Sequence, residues 1–288
     1  MKKLVTIAGV ILLLICCKYK NSNTKTAIHN FETQRVYSET VGDSFSIFID
    51  TPMEMSHSGK YPVVYLLDAN FYFDIVCSIK RKYCELGILP PFILVGIGYK
   101  DFYQMDSLRD RDYTYPAAFA EDSFKVSGGC EKFLKFIKRE LIPVIHQKYS
   151  VNADKQVLMG HSLGGFFVLY AMKNNSDNCF NHFIAASPSL NYGRYYLFNQ
   201  FENLKHDYSS AQVYMTYGGL EDSENTDIPA AKTLLSSEQN LKKITEILKK
   251  RKLKSPVIKT EVFSNLGHME VALPSYIKGM QWMLTDNE

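Results

Sequence analysis

Gly160-His161-Ser162-Leu163-Gly164 sets a serine between two glycines with the spacing G-x-S-x-G. The apolar residues Val157-Leu158-Met159 lead into it, and the run from Phe166 to Met172 leaves it. That order predicts a strand that turns sharply into a buried helix. Such a turn has no room for side chains beside it. Gly160 and Gly164 leave that room, and the turn lifts the Ser162 hydroxyl clear of a sheet. The first N–H groups of the helix then face the point where negative charge gathers on an attacked carbonyl. The chemistry this suits is nucleophilic attack on an acyl carbon. A hydroxyl attacks well only when a base takes its proton. His161 is bound too tightly to the turn to be that base, and it reads as a packing or supporting residue.

The base is expected to be a histidine on the same face, steadied by a carboxylate. His268 stands just after the last apolar strand, with Gly267 making room for a turn. In the chain order serine, acid, histidine, the acid falls between them. Glu221 is the first choice and Asp222, its neighbour, is the rival. A Ser–His dyad that uses neither stays open. The oxyanion needs two N–H donors. One is the backbone of Leu163. The other comes from the turn Asp68-Ala69-Asn70 after a buried strand, with Ala69 preferred and Asn70 the alternative. No His, Cys or acid cluster has metal-like spacing, so no metal or cofactor is expected. Of six cysteines, Cys77 and Cys84 stand about 10 Å apart along one predicted helix, too far for a disulfide.

These residues need a scaffold. Strands are predicted over 33–38, 44–50, 61–67, 92–97, 183–186, 212–216 and 257–263, besides the one that leads to Ser162. Between 44 and 50 the alternation puts Phe45, Ile47 and Ile49 on one face. Helices are predicted over 72–84, 131–148 with a kink at Pro143, 237–252 and 270–285. The stretch 101–129 has no regular period and reads as a long functional loop. Strands alternating with helices imply βαβ units and a mainly parallel sheet. Ligands of such sheets gather at the carboxyl ends of the strands. Asp68, Ser162, Ser187, Glu221 and His268 all fall just past predicted strand ends.

The chain has 288 residues, 46% hydrophobic and 22% charged, which suits one large α/β domain. Its net charge of +3 includes Lys2 and Lys3, so there is no global case for nucleic acid. The lysines of 242–252 read as a solvated helix face. Lys2-Lys3, then an apolar run from Leu4 to Ile15, then Cys16-Cys17, has the form of a signal peptide. The expected organisation is a signal peptide over 1–17, a tether over 18–32 and a single domain over 33–288. Leu14-Ile15-Cys16-Cys17 resembles a loose lipobox, so Cys17 (or Cys16) is a candidate for lipidation and membrane attachment, with plain secretion as the alternative. Either route places the protein in the periplasm or cell envelope. Oligomeric state is not legible.

Taken together, several stretches carry a resemblance to a known family. They are Tyr65 to Asn70, Arg109 to Thr114, Ser127-Gly128-Gly129, Gly160 to Gly165, Ser187 to Leu190, Gly218 to Glu221 and Gly267-His268. In order and spacing they resemble the putative esterase family of α/β hydrolases, with its esterase D-like and siderophore trilactone esterase-like members. The resemblance covers about residues 35 to 285. It implies an α/β-hydrolase fold with about eight strands, mainly parallel, and helices on both faces. It also implies a serine esterase that works through an acyl-enzyme on a small-molecule ester. Siderophore-type lactones are the leading substrates. Acetyl or feruloyl esters of polysaccharide, acyl transfer to a sugar, and a non-catalytic surface binding protein of the same fold are the alternatives. The loop with Arg109 and Arg111 would approach the site. Arg111 would engage a carboxylate or polar ester, or else pair with Asp112. Arg109 and Asp68 are further substrate-binding candidates. The chain departs from the family pattern at Ala69, usually Gly, at Asn191, often aromatic, and at Gly219, often acidic.

Overall fold

A computed structural model describes residues 31–55, 59–120, 124, 126–203, 211–224, 234–250 and 256–285. The expected signal peptide, Cys16, Cys17 and the tether up to residue 30 lie outside the described residues. The tether was expected to reach residue 32, but strand β1 (Glu32–Ser38) already begins there, and the Phe31 ring packs edge-on to Phe73 at 4.9 Å.

Among the described residues the sheet has eight strands in the order β1-β2-β4-β3-β5-β6-β7-β8. The remaining strands are β2 (Asp43–Asp50), β3 (Tyr61–Leu66), β4 (Ile93–Gly98), β5 (Val151–His161), β6 (His182–Ala186), β7 (Gln212–Gly218) and β8 (Val257–Phe263). β1 and β2 form an antiparallel hairpin, β2 runs antiparallel to β4, and β4 through β8 are parallel. The alternation predicted for β2 is present: Phe45, Ile47 and Ile49 are buried together. β3 is buried on both faces, as an inner parallel strand should be.

Helix α1 (Ala69–Glu85) and α9 (Ala272–Leu284) cover one face, sharing a core with Val64, Leu66, Val157, Met159 and Ile184. The other face carries α2 (Phe102–Tyr113), α3 (Cys130–Phe136), α4 (Ile142–Lys148), α5 (Leu163–Lys173), α6 (Tyr192–Glu202) and α8 (Ser237–Lys249). The short α7 (Glu221–Glu224) follows β7. No described helix is long and apolar enough to cross a membrane.

Three expectations change. The irregular loop over 101–129 contains α2. Asp101 caps it by accepting a bond from the Gln104 N–H at 2.9 Å. Only Met105, Asp112 and Tyr113 of α2 are buried, so it has no apolar stripe to read. α6 was not foreseen either, because Gly193, Arg194 and Tyr195 take positive φ within it and interrupt the helical pattern. The helix over 131–148 is not merely kinked. A π turn (Ile137–Leu141) separates α3 from α4, and Pro143 lies in the first turn of α4. Widening the turn removes the clash a proline ring makes with the carbonyl one turn back.

Candidate active site

β5 delivers Ser162 with φ 58° and ψ −119°, a conformation that side-chain-bearing residues rarely hold. The elbow survives because its neighbours are glycines. A Cβ on Gly160 would stand 2.6 Å from the Gly164 carbonyl oxygen, and one on Gly165 would stand 2.9 Å from that of Ala186. Hydrogen bonds hold the turn to the next strand. The Ser162 N–H donates to Ala186 at 3.0 Å, and the Ser162 carbonyl accepts from the Ser189 N–H at 3.1 Å.

The turn after β8 brings His268 over this serine. Its Nε2 lies 3.0 Å from Ser162 Oγ, and its Nδ1 lies 2.8 Å from Glu221 Oε2. Glu221 is 5% exposed, and its Oε1 accepts the Gly218 N–H at 2.6 Å. Asp222 points elsewhere. Its carboxylate accepts from the N–H and hydroxyl of Ser237, both at 2.9 Å, at the start of α8. The carboxylate facing His268 is therefore Glu221. A further hydroxyl sits at this junction. Ser187 Oγ donates to Glu221 Oε2 at 2.5 Å and lies 3.0 Å from His268 Nδ1. Ser187 is buried and takes φ 39°. Sequence reasoning placed Ser187 at a strand end but gave it no part beside the acid. The available signal was its position one residue past β6.

The donor candidates stand at two helix starts. Leu163 opens α5 and Ala69 opens α1, after Asp68 in the left-handed region at φ 51°. First-turn N–H groups have no partner within their own helix. A Cβ on Gly164 would come within 3.2 Å of Asp68 Oδ2, so the two turns touch. The Asn70 side chain is committed to the residue that follows β4, bonding both the N–H and the carbonyl of Tyr99.

The remaining candidates separate. Asp68 is 2% exposed and grips Arg109 with two bonds of 3.0 Å, so it holds the arginine rather than facing the cavity alone. Burial opposes the charge of Arg109, but the Asp68 carboxylate outweighs it and keeps the guanidinium firmly protonated. Arg109 lines the cavity beside Ser162, and Arg111 does not. Arg111 bonds Asp112 at 2.8 and 2.9 Å and Asp43 at 2.8 Å, the pairing foreseen as its alternative. The cavity is about 510 Å³, and Phe119, Phe124, Tyr192, Asn191 and Arg194 line it with Ser162. Arg194 stacks on Phe119 at 4.1 Å from the ring centre. Among the described residues, no three His, Cys, Asp or Glu side chains gather as a metal site would need.

Residues 38–255 match the family model described as "Putative esterase". The chain belongs to this family. A protein of similar sequence is the ferri-bacillibactin esterase BesA of Bacillus subtilis. It is 33% identical over 187 residues, 60% of this chain and 64% of that protein. The apo-salmochelin esterase of Escherichia coli is 29% identical over 157 residues, 52% of this chain and 48% of that protein. The chain thus spans between about half and two thirds of these relatives' length. In three dimensions this esterase-family chain resembles the BES protein of Bacillus cereus, with TM-score 0.72 at 23% identity over 99% of this chain and 100% of that one. It also resembles an IroE-like serine hydrolase of Shewanella oneidensis, with TM-score 0.74 at 24% identity over 88% and 80%. The fold is that of the α/β hydrolases, with the eight-stranded, mainly parallel sheet the sequence led one to expect.

Proposed function

We propose that this chain is a serine esterase in which Ser162 is the nucleophile, His268 the general base and Glu221 the acid that orients it. The observation that carries the reading is the continuous chain of contacts from Glu221 through the His268 ring to Ser162 Oγ, at 2.8 and 3.0 Å. His268 Nε2 takes the Ser162 proton as Oγ bonds the ester carbonyl carbon. The N–H groups of Leu163 and Ala69 receive the charge that moves onto the carbonyl oxygen. The imidazolium is steadied by Glu221 and returns its proton to the leaving alcohol as the C–O bond breaks. Water repeats the sequence on the acyl-enzyme and frees the acid.

The substrates proposed are siderophore-type lactone esters, supported by the relatives named as esterases of ferri-bacillibactin and salmochelin. An aromatic-walled cavity of about 510 Å³ with two arginines on its lining suits a polar, partly anionic acyl group. We place Arg109 against that group and Asp68 behind Arg109. The N-terminal segment supports export to the periplasm or envelope, with Cys17 (or Cys16) as the point of attachment in the lipidated reading and plain secretion as the alternative.

The test is hydrolysis of p-nitrophenyl butyrate and of cyclic and linear siderophore esters. Ser162→Ala and His268→Ala should each lower kcat by at least 10³-fold, and the cyclic triester should be among the best substrates. Wild-type rates in both variants would remove the assignment.

A further inference from the structure

We infer that His161 is a positioning residue for His268, holding the base by its main chain rather than by its ring. The inference rests on Ser162 and His268 acting as nucleophile and base. His161 Nε2 lies 2.7 Å from the carbonyl oxygen of His268. A carbonyl only accepts, so this nitrogen carries the proton. In a neutral ring Nδ1 is then an acceptor, and the Tyr72 hydroxyl stands 3.1 Å from it. The direction of both bonds is therefore fixed: Tyr72 O–H to Nδ1, and Nε2–H to His268. His161 and Tyr72 are each 3% exposed. Tyr72 is wedged edge-on between His161 and Tyr276, at 6.1 and 5.4 Å. Water has little access with which to replace either bond.

The site of attachment matters. His161 directly precedes Ser162 in the chain, and its carbonyl accepts a bond from Arg109 at 3.4 Å. Ser162 Oγ and His268 Nε2 meet on one side, and His161 Nε2 and the His268 carbonyl meet on the other. These contacts close a small ring that contains both reacting groups, so the elbow sets the placement of the base directly. The turn's other bonds run to different partners. Gly267 N–H donates to Glu270 at 2.8 Å, and the Leu220 N–H beyond β7 donates to Leu266 at 3.1 Å. Burial first, and then the nearby charge of His268, pushes protonation of His161 down to about 3. The ring stays neutral when His268 becomes cationic 4.6 Å away.

His161→Phe keeps a ring but loses the donor. His161→Gln keeps an N–H at the distance of Nε2. In p-nitrophenyl butyrate hydrolysis, His161→Phe should lose at least tenfold in kcat with KM within twofold, and fluorophosphonate labelling should slow in proportion. His161→Gln should regain most of the loss. Wild-type kcat in His161→Phe, or equal losses in both variants, overturns the inference. Should His161→Phe fail to fold, His161→Gln is set against His161→Asn, which is one methylene too short, and equal kcat in those two overturns it. Ser162→Ala run alongside separates the two readings. An active Ser162→Ala removes the esterase reading itself, whereas an inactive one beside a full-rate His161→Phe removes only the role of His161.

Discussion

A carboxylate steadies an imidazolium only if it is aimed at Nδ1, and the adjacent acids 221 and 222 are aimed at different partners. Glu221 meets His268, and Asp222 meets Ser237. Glu221→Gln keeps the shape but loses the charge, and it can hold the ring in the wrong tautomer. It should lower kcat by roughly 10²–10⁴-fold. Asp222→Asn should leave kcat within about threefold and lower stability by about 1 kcal/mol, the scale of a lost helix-start bond. Steady-state kinetics and thermal melts on the two variants check both, and equal kcat losses would count against Glu221. Sequence reasoning had both acids but no way to separate them. Neighbouring residues after a strand can face either way, and the choice here follows from Gly218 N–H binding one oxygen of Glu221.

At the level of elements, two strand ends are pressed together. A Cβ on Gly218 at the end of β7 would stand 2.3 Å from the Leu266 carbonyl oxygen and 2.8 Å from that of Gly267. Both are backbone atoms just before His268, so they cannot swing aside as a flexible side chain would. Gly218→Ala should destabilise by about 1–3 kcal/mol, the usual range for overpacking. It should also cut kcat at least tenfold by moving the His268 turn, and a melt with kinetics reads both. An unchanged kcat would show that the turn absorbs the shift. The strands and the Ser162 elbow were legible because apolar runs, alternation and glycine spacing are local signals. α2 and α6 were not. α2 buries few apolar groups, and three left-handed residues break the period of α6. The bond from His161 to His268 joins residues far apart in sequence, which no local pattern encodes.

For the whole molecule, two buried histidines contribute to the acid limb of stability. Burial, and then Lys155, lowers His182 to about 4, and His161 lies near 3. An unfolded histidine titrates near 6.5, so below that pH the unfolded chain binds protons that the folded chain does not. Stability then falls with falling pH, by up to about 1.4 kcal/mol per unit for each histidine. Asp110 acts oppositely. Burial raises it to about 6, so below that pH the folded state binds the extra proton and gains. Asp112, which burial also raises, adds a second gain, so each histidine's share is the decline that its removal takes away. His182→Gln should flatten it, giving a smaller shift in the urea midpoint between pH 7 and 5 than the wild type. Parallel curves would exclude His182 as a source.

The backbone at Ser162 carries a last consequence. Its φ of 58° and ψ of −119° suit glycine, and a side chain held there costs about 1–3 kcal/mol. Glycine loses about 0.5–1 kcal/mol more entropy on folding, so Ser162→Gly should still melt above Ser162→Ala, which keeps the Cβ. Equal melting temperatures would show that the elbow is relaxed. If the gain is real, a library of this chain screened for heat resistance alone would drift towards glycine at 162. On the nucleophile role proposed for Ser162, selection on turnover would keep the hydroxyl there.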